Sequence, residues 1–144
     1  MDFISNHSNW ALITLILLLI TIINAVIGIL MKRDFGFIDK KLSLYSLIAV
    51  YIQIILGLVS YMISKITQSA MQDFGSAMKD TTLRLFAVEH PLMMIIGSLL
   101  ITIGFIKAKK ATADTTKFNK ILVFYILGFI LILSRIPWSE WAQH

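Results

Sequence analysis

The chain has 144 residues, of which 58% are hydrophobic and only 15% are charged. Soluble domains are about 45–50% apolar and about 25% charged, and disordered chains are more polar still. The composition therefore excludes an ordinary soluble domain and a disordered chain. Cysteine is absent, which excludes disulfides and thiolate metal sites. The length predicts a single membrane domain over residues 1–144.

Four stretches are apolar enough to cross a bilayer, which takes roughly 20 residues per helix. Spans one to four cover about residues 10–31, 42–64, 83–106 and 121–138. An open sheet cannot cross a bilayer, because its edge amides would lack partners, and the stretches are too long for barrel strands. The sequence therefore predicts an all-α fold, an antiparallel four-helix bundle in the membrane.

The basic residues are shared unevenly between the two ends of the spans. Nine of the 13 follow spans one and three: Lys32, Arg33, Lys40, Lys41, Lys107, Lys109, Lys110, Lys117 and Lys120. The other four are Lys65, Lys79, Arg84 and Arg135. Cytoplasmic loops carry the excess of lysine and arginine, so both termini are predicted to lie outside. The basic residues border helix ends without interleaved aromatic residues, which gives no support to nucleic-acid binding.

The longest connection, over residues 65–82, joins spans two and three on the outer side. Ile66, Ala70, Phe74 and Met78 recur every four residues, which indicates one face of a helix. We expect a short amphipathic helix on the membrane surface; the alternative is an ordered polar loop. Asp80 or Thr81 would then cap span three.

Each span carries small or polar residues on one face, as packed membrane helices do. They are Ala11, Thr14, Thr21, Asn24 and Gly28 in span one, Ala49, Gln53, Gly57 and Ser60 in span two, His90, Met94, Gly97, Ile101 and Gly104 in span three, and Tyr125, Gly128, Ile132 and Arg135 in span four. Most of them predict close packing. Asn24 and Gln53 are expected to hydrogen-bond to each other or to Tyr51.

Glu89, His90 and Arg135 are ionisable groups inside predicted spans, where such groups usually face the bundle interior or a wet cavity. At about 1.5 Å per residue, His90 and Arg135 lie roughly 25 and 22 Å from the inner ends of their spans. The residues at about the same height are Thr14, Gly57, Ser60 and Tyr61. The sequence therefore predicts one buried polar layer in the outer third of the membrane. Adjacent helical residues point about 100° apart, so only one of Glu89 and His90 can face the interior.

Pro91 bends the chain beside His90. If the helix begins near Leu83, Pro91 removes one backbone hydrogen bond and frees the carbonyl of Ala87. If the helix begins at Glu89 or His90, Pro91 occupies a normal first-turn position.

His7 lies just before span one on the same side of the membrane. Its height is roughly 35 Å, some 10 Å above His90. Two axial ligands of one haem iron must face each other across it. Straight upright helices do not bring the two histidines to that geometry, whereas tilt or a non-helical turn over residues 5–8 closes the gap.

Several short motifs extend over nearly the whole chain. They are His7 and Ser8 before Trp10, Gln53 with Gly57, Glu89-His90 with Met93 and Met94, the run over residues 100–104, and Ile136-Pro137-Trp138. In these motifs the chain resembles a family of small bacterial four-helix membrane proteins described as cytochrome-b-like. The chain has Tyr51 where members of that family often carry histidine, which removes one ligand.

The resemblance implies a haem b protein of the bacterial inner membrane with a role in electron transfer. His90 is then an axial ligand, and His7 is the second ligand or the iron is five-coordinate. Arg135 is then the partner of a haem propionate, which suits the geometry of arginine.

Three other interpretations remain open. In one, the chain is a cofactor-free structural or assembly subunit, with lipid and a membrane protein or further copies of itself as partners. Glu89 and Arg135 then form a buried pair, which can be purely architectural. In another, His90, Met93 and Met94 share one helical face and bind Cu(I). In the last, Glu89 and Tyr61 relay protons. The sequence has no phosphate loop, nucleophile elbow or metalloprotease helix, so we do not expect an autonomous enzyme.

Overall fold

A computed structural model describes residues 3–141 of the chain, and every regular element in that range is a helix. The helices are α1 (Phe3–Leu30), α2 (Phe37–Ile63), α3 (Lys65–Gln72), α4 (Phe74–Ala77), α5 (Thr81–Arg84), α6 (His90–Lys110), α7 (Asp114–Ser134) and α8 (Trp138–Trp141). A five-residue π-helical turn, Leu85–Glu89, joins α5 to α6.

Four helical segments are long and apolar enough to cross a membrane, which confirms the number of spans predicted from hydropathy. They are α1, α2, the segment Thr81–Lys110 and α7. Several helix ends differ from the predicted spans: α1 begins at Phe3, α2 at Phe37 and α7 at Asp114, and α7 ends at Ser134. The turn over residues 5–8 is helical, because α1 begins at Phe3. The polar connection after α6 is limited to residues 111–113, since Asp114 already begins α7 and forms an ion pair with Lys117 one turn later, at 2.7 Å.

The four long helices enclose one core. Helix α1 packs against α2 and α7, and α6 packs against α7 and α2. The largest fully buried side chains include Leu18, Ile101, Phe118 and Tyr125. The outward faces are apolar as well; Ile16, Leu19 and Ile23 are each almost half exposed. A surface this apolar is typical of a protein whose outward faces contact lipid.

The small residues on α6 and α7 let the two backbones approach closely. A Cβ atom added to Gly128 would lie 2.7 Å from the carbonyl oxygen of Gly97, and one added to Gly97 would lie 3.0 Å from that of Gly128. Ile101 packs in the same contact. This is the packing predicted from the small residues of spans three and four, and a methyl group at either glycine would force the helices apart.

Residues 31–36 and 111–113 form one end of the bundle, called here the lysine end. Asp39 is surrounded there by hydrogen-bond donors. Its carboxylate accepts hydrogen bonds from Asn24 (2.7 Å), from both terminal nitrogens of Arg33 (2.7 and 2.9 Å) and from the backbone of Gly36 (2.8 Å). Arg33 also donates to Asn24. The predicted bond from Asn24 to Gln53 or Tyr51 was therefore wrong, because the nearer carboxylate takes the amide.

The connection between α2 and α6 is helical, in two short pieces. Ala70 and Ala77 are buried, and together with Ala87 they form a small separate core. The predicted face was only partly right, because Phe74 is about half exposed. The side chain of Asp80 accepts a hydrogen bond from the backbone of Leu83 at 2.8 Å, which confirms the predicted cap.

Candidate functional site

A cavity of about 440 Å³ lies between α1, α2, α6 and the chain after α7. It is at the end of the bundle opposite the lysine end, and we call it the histidine cavity. Its wall is mostly apolar. The polar side chains that line it include His7, Thr14, Gln53, Ser60, Tyr61 and His90. The structure thus brings five of the predicted site residues together and adds Gln53, whereas Glu89 and Arg135 are not part of the lining.

Pro91, the residue after His90, leaves a backbone carbonyl without its usual hydrogen bond. The helix runs continuously from Thr81 through the π turn into α6, so Pro91 lies within it and the carbonyl of Ala87 loses its usual donor. The hydroxyl of Tyr61 donates to that carbonyl at 3.0 Å. The first of the two predicted arrangements is therefore correct, and Tyr61 links α2 to the bend beside His90.

The ring of His90 is oriented by the chain after α7. Its Nδ1 lies 2.8 Å from the carbonyl oxygen of Arg135. A carbonyl only accepts, so Nδ1 carries the proton and Nε2 of the neutral ring presents a lone pair. Within residues 3–141 no hydrogen-bond partner contacts Nε2. Histidines that bind metals are commonly held in this way through their other nitrogen.

His7 is held against α2. Gly57 makes room for the ring, since a Cβ atom there would lie 3.0 Å from Cε1 of His7. The amide nitrogen of Gln53 lies 3.1 Å from both the carbonyl oxygen and Nδ1 of His7, and 3.5 Å from Nε2. An amide nitrogen can only donate, so Nδ1 is an acceptor and the proton of neutral His7 is on Nε2.

The two histidine rings are neighbours. Their centroids are 6.2 Å apart and the ring planes are nearly perpendicular, at 89°. The predicted difference of some 10 Å between the heights of His7 and His90 was wrong. One reason is that α6 ends at Lys110, three residues later than assumed, so His90 lies roughly 5 Å farther from the inner end of its helix than predicted. The continuous helix α1 also brings His7 to the cavity without a non-helical turn over residues 5–8, which was one of the two alternatives.

Three hydroxyl groups of the cavity wall donate to carbonyl groups of the protein. Ser60 donates to the carbonyl of Phe3 at 3.2 Å, and Thr14 donates to the carbonyls of Trp10 (2.9 Å) and Ala49 (3.4 Å). Tyr61 is bound to Ala87. By contrast, Oε1 of Gln53 is enclosed and lacks a partner among the described residues.

Glu89 lies outside the cavity between two arginines. Its carboxylate oxygens are 2.8 Å from Nε of Arg84 and 3.2 Å from Nε of Arg135. The pair with Arg135 was anticipated and the second arginine was not. The cluster is half-buried rather than buried, with Glu89 30% and Arg135 46% exposed. The hydroxyl group of Tyr61 donates to Ala87 instead of Glu89, and Glu89 does not line the cavity, so these contacts do not link the two groups of the proton-relay alternative.

The residues fit a haem ligated from one side only. His90 presents an unpartnered Nε2, as an axial ligand requires. His7 does not fit as the second ligand, because its Nε2 carries the proton and its N–C–N edge packs against Gly57. Arg135 is already paired with Glu89. Within residues 3–141 no three His, Cys, Asp or Glu side chains are grouped to hold a metal ion.

Comparison with known proteins gives no relative for this chain. No family model, no curated protein and no solved structure matches it.

Proposed function

We propose that this chain is a multi-pass membrane protein whose histidine cavity binds a lipid-soluble ligand through Nε2 of His90. One observation carries the proposal: an imidazole nitrogen, oriented by the carbonyl of Arg135 and without a protein partner, lines a mostly apolar cavity. Concave apolar sites with a few convergent polar groups are the usual form of small-molecule and cofactor sites. The cavity volume of about 440 Å³ is within their ordinary range of ~300–1,000 Å³.

Haem b is the ligand that the cytochrome-b-like resemblance implies. In that case His90 would hold the iron, and the hydrogen bond from its Nδ1 to the carbonyl of Arg135 would fix the ring and strengthen the nitrogen as a ligand. Haem, when bound, would supply one-electron transfer. The chain's own contribution would be the ligating nitrogen of His90 and the apolar wall of the cavity.

Absorption spectra of the protein from haem-replete cells, oxidised and dithionite-reduced, test this ligand. A Soret band that disappears in His90→Ala and persists in His7→Ala is the expected result for ligation from one side. Loss of the band in both variants would instead establish two-sided ligation, with rearrangement of His7. A flat spectrum from correctly folded protein would refute haem binding.

A cofactor-free structural subunit is the second candidate, favoured by the Glu89 cluster. One carboxylate between two arginines ties the π turn to the chain after α7 without involving the cavity. Glu89→Gln is then expected to lower thermal stability and to reduce recovery of a partner membrane protein after mild cross-linking. Unchanged recovery with lower stability would assign the cluster to folding alone.

We also propose that the four helices form an antiparallel bundle in a bacterial inner membrane, with both termini outside. The contacts of His7 with Gly57 and of Gly28 with Phe118 support it, because each joins residues from opposite ends of the helices involved. The nine basic residues near the lysine end support its cytoplasmic placement. The chain has no cysteine, so single cysteines introduced at Gly36 and Gln68 can be labelled with an impermeant reagent in whole cells. Only the second should react.

A further inference from the structure

We infer that the ligand of the histidine cavity is a lipid-soluble hydroquinone, an apolar ring that carries two hydroxyl groups. The inference rests on the proposed binding of a ligand at Nε2 of His90 and names its chemical class. It rests on two hydrogen-bond acceptors, Nε2 of His90 and Oε1 of Gln53, that receive no hydrogen bond from the described residues.

The first acceptor is Nε2 of His90. Its ring is locked by the hydrogen bond from Nδ1 to the carbonyl of Arg135, so Nε2 cannot become a donor unless the ring is protonated. A hydroxyl group of the ligand can donate to it.

The second acceptor is Oε1 of Gln53. Both hydrogen bonds of this amide go from its nitrogen to His7, and its oxygen is enclosed without a partner. A buried polar atom left without a partner is rare in folded proteins and destabilising. Because Gln53 also lines the cavity, a second hydroxyl group on a ligand that reaches this amide would supply the missing donor.

Three hydroxyl groups of the wall are already engaged within the protein. Thr14, Ser60 and Tyr61 each donate to a backbone carbonyl. The remaining wall is formed by side chains such as Leu15, Met94 and Ile132. The cavity therefore offers acceptors to a ligand whose body is apolar, and a ligand without hydroxyl hydrogens would leave those acceptors unpaired.

Binding of matched probes to the detergent-solubilised protein under reducing, anaerobic conditions tests the inference. The probes are a 1,4-hydroquinone with a short alkyl tail, its dimethyl ether, and an alkylphenol with one hydroxyl group. We expect the hydroquinone to bind at least tenfold more tightly than the dimethyl ether, with the phenol between them. Gln53→Leu should weaken hydroquinone binding about three- to tenfold, as expected for one lost hydrogen bond. It should leave phenol binding nearly unchanged.

The variants separate this inference from the broader proposal. His90→Phe should reduce binding of hydroquinone and phenol alike, whereas Tyr51→Phe removes a hydroxyl group that bonds to Thr102 outside the cavity and should have no effect. Equal binding of the hydroquinone and its dimethyl ether would overturn the hydroquinone assignment while keeping a ligand in the cavity. A Soret band dependent on His90 would also overturn it, because haem would then occupy Nε2. Failure of every probe to bind, with no Soret band, would overturn both proposals.

Discussion

Replacing Asp39 by asparagine should be among the most damaging single-atom changes in the chain. The carboxylate side chain is 2% exposed and accepts four hydrogen bonds. An amide keeps one oxygen, so two of the four donors are left facing an NH₂ group. The same change removes the charge that balances Arg33, whose pKa is raised by its hydrogen bonds to Asp39.

The size of the effect follows from these contacts. Hydrogen bonds to charged groups contribute about 1.5–3 kcal/mol each, but Arg33 is 34% exposed and regains bonds to water, which reduces the loss. We expect Asp39→Asn to lower the free energy of unfolding by about 2–3 kcal/mol. For a chain of this size that corresponds to a fall in Tm of roughly 5–10 °C.

Thermal unfolding in mild detergent, followed by circular dichroism, measures the change. Asp114→Asn is the matched control, since it removes the same charge from a more exposed pair with Lys117, in which the Asp114 side chain is 37% exposed, and it should leave Tm nearly unchanged. The reasoning would be refuted if both variants melted within about 2 °C of the parent protein, the shift expected for less than 1 kcal/mol.

Two further predictions use the same unfolding assay. Gly128→Ala should destabilise the protein by about 2–4 kcal/mol, because the added methyl group meets backbone that cannot move aside. Gly36→Ala is the control: the nearest atom is 3.7 Å away, and stability should change by less than about 1 kcal/mol. Equal effects of the two substitutions would contradict the packing argument. Tyr61→Phe should cost about 1–2 kcal/mol by leaving the carbonyl of Ala87 without a donor. The cost should shrink in a Pro91→Ala background, where a backbone N–H can replace the hydroxyl group; an unchanged cost would show that the carbonyl is not the reason.

Hydropathy was sufficient to predict the four spans, but it placed their ends poorly. Residues 5–9 and 114–117 are polar, and polarity was taken to end the helices. Neither stretch contains proline or glycine, and helices continue through polar residues when no breaker interrupts them. The helices therefore extend beyond the apolar cores by which they were recognised.

Features of the candidate site could be predicted where they follow from the chemistry of one residue. Pro91 lacks a backbone donor, and this alone predicted the free carbonyl of Ala87. The partners of Gln53 and Asn24 could not be found in this way. Both amides can bond to many groups, and the choice between His7, Asp39 and each other depends on which helices are neighbours.

The sequence by itself determined that the chain is helical, that four segments can cross a membrane and that a bend adjoins His90, because hydropathy, helix length and proline chemistry are local properties. Only the tertiary structure decided that the rings of His7 and His90 lie 6.2 Å apart and that Gln53 bonds to His7. It also decided that the carboxylate of Asp39 accepts hydrogen bonds from Asn24, Arg33 and Gly36 at the lysine end. These contacts join residues far apart in the chain, and their geometry is set by small-residue packing, such as that of Gly57 and Gly128, which fixes how closely the helices approach.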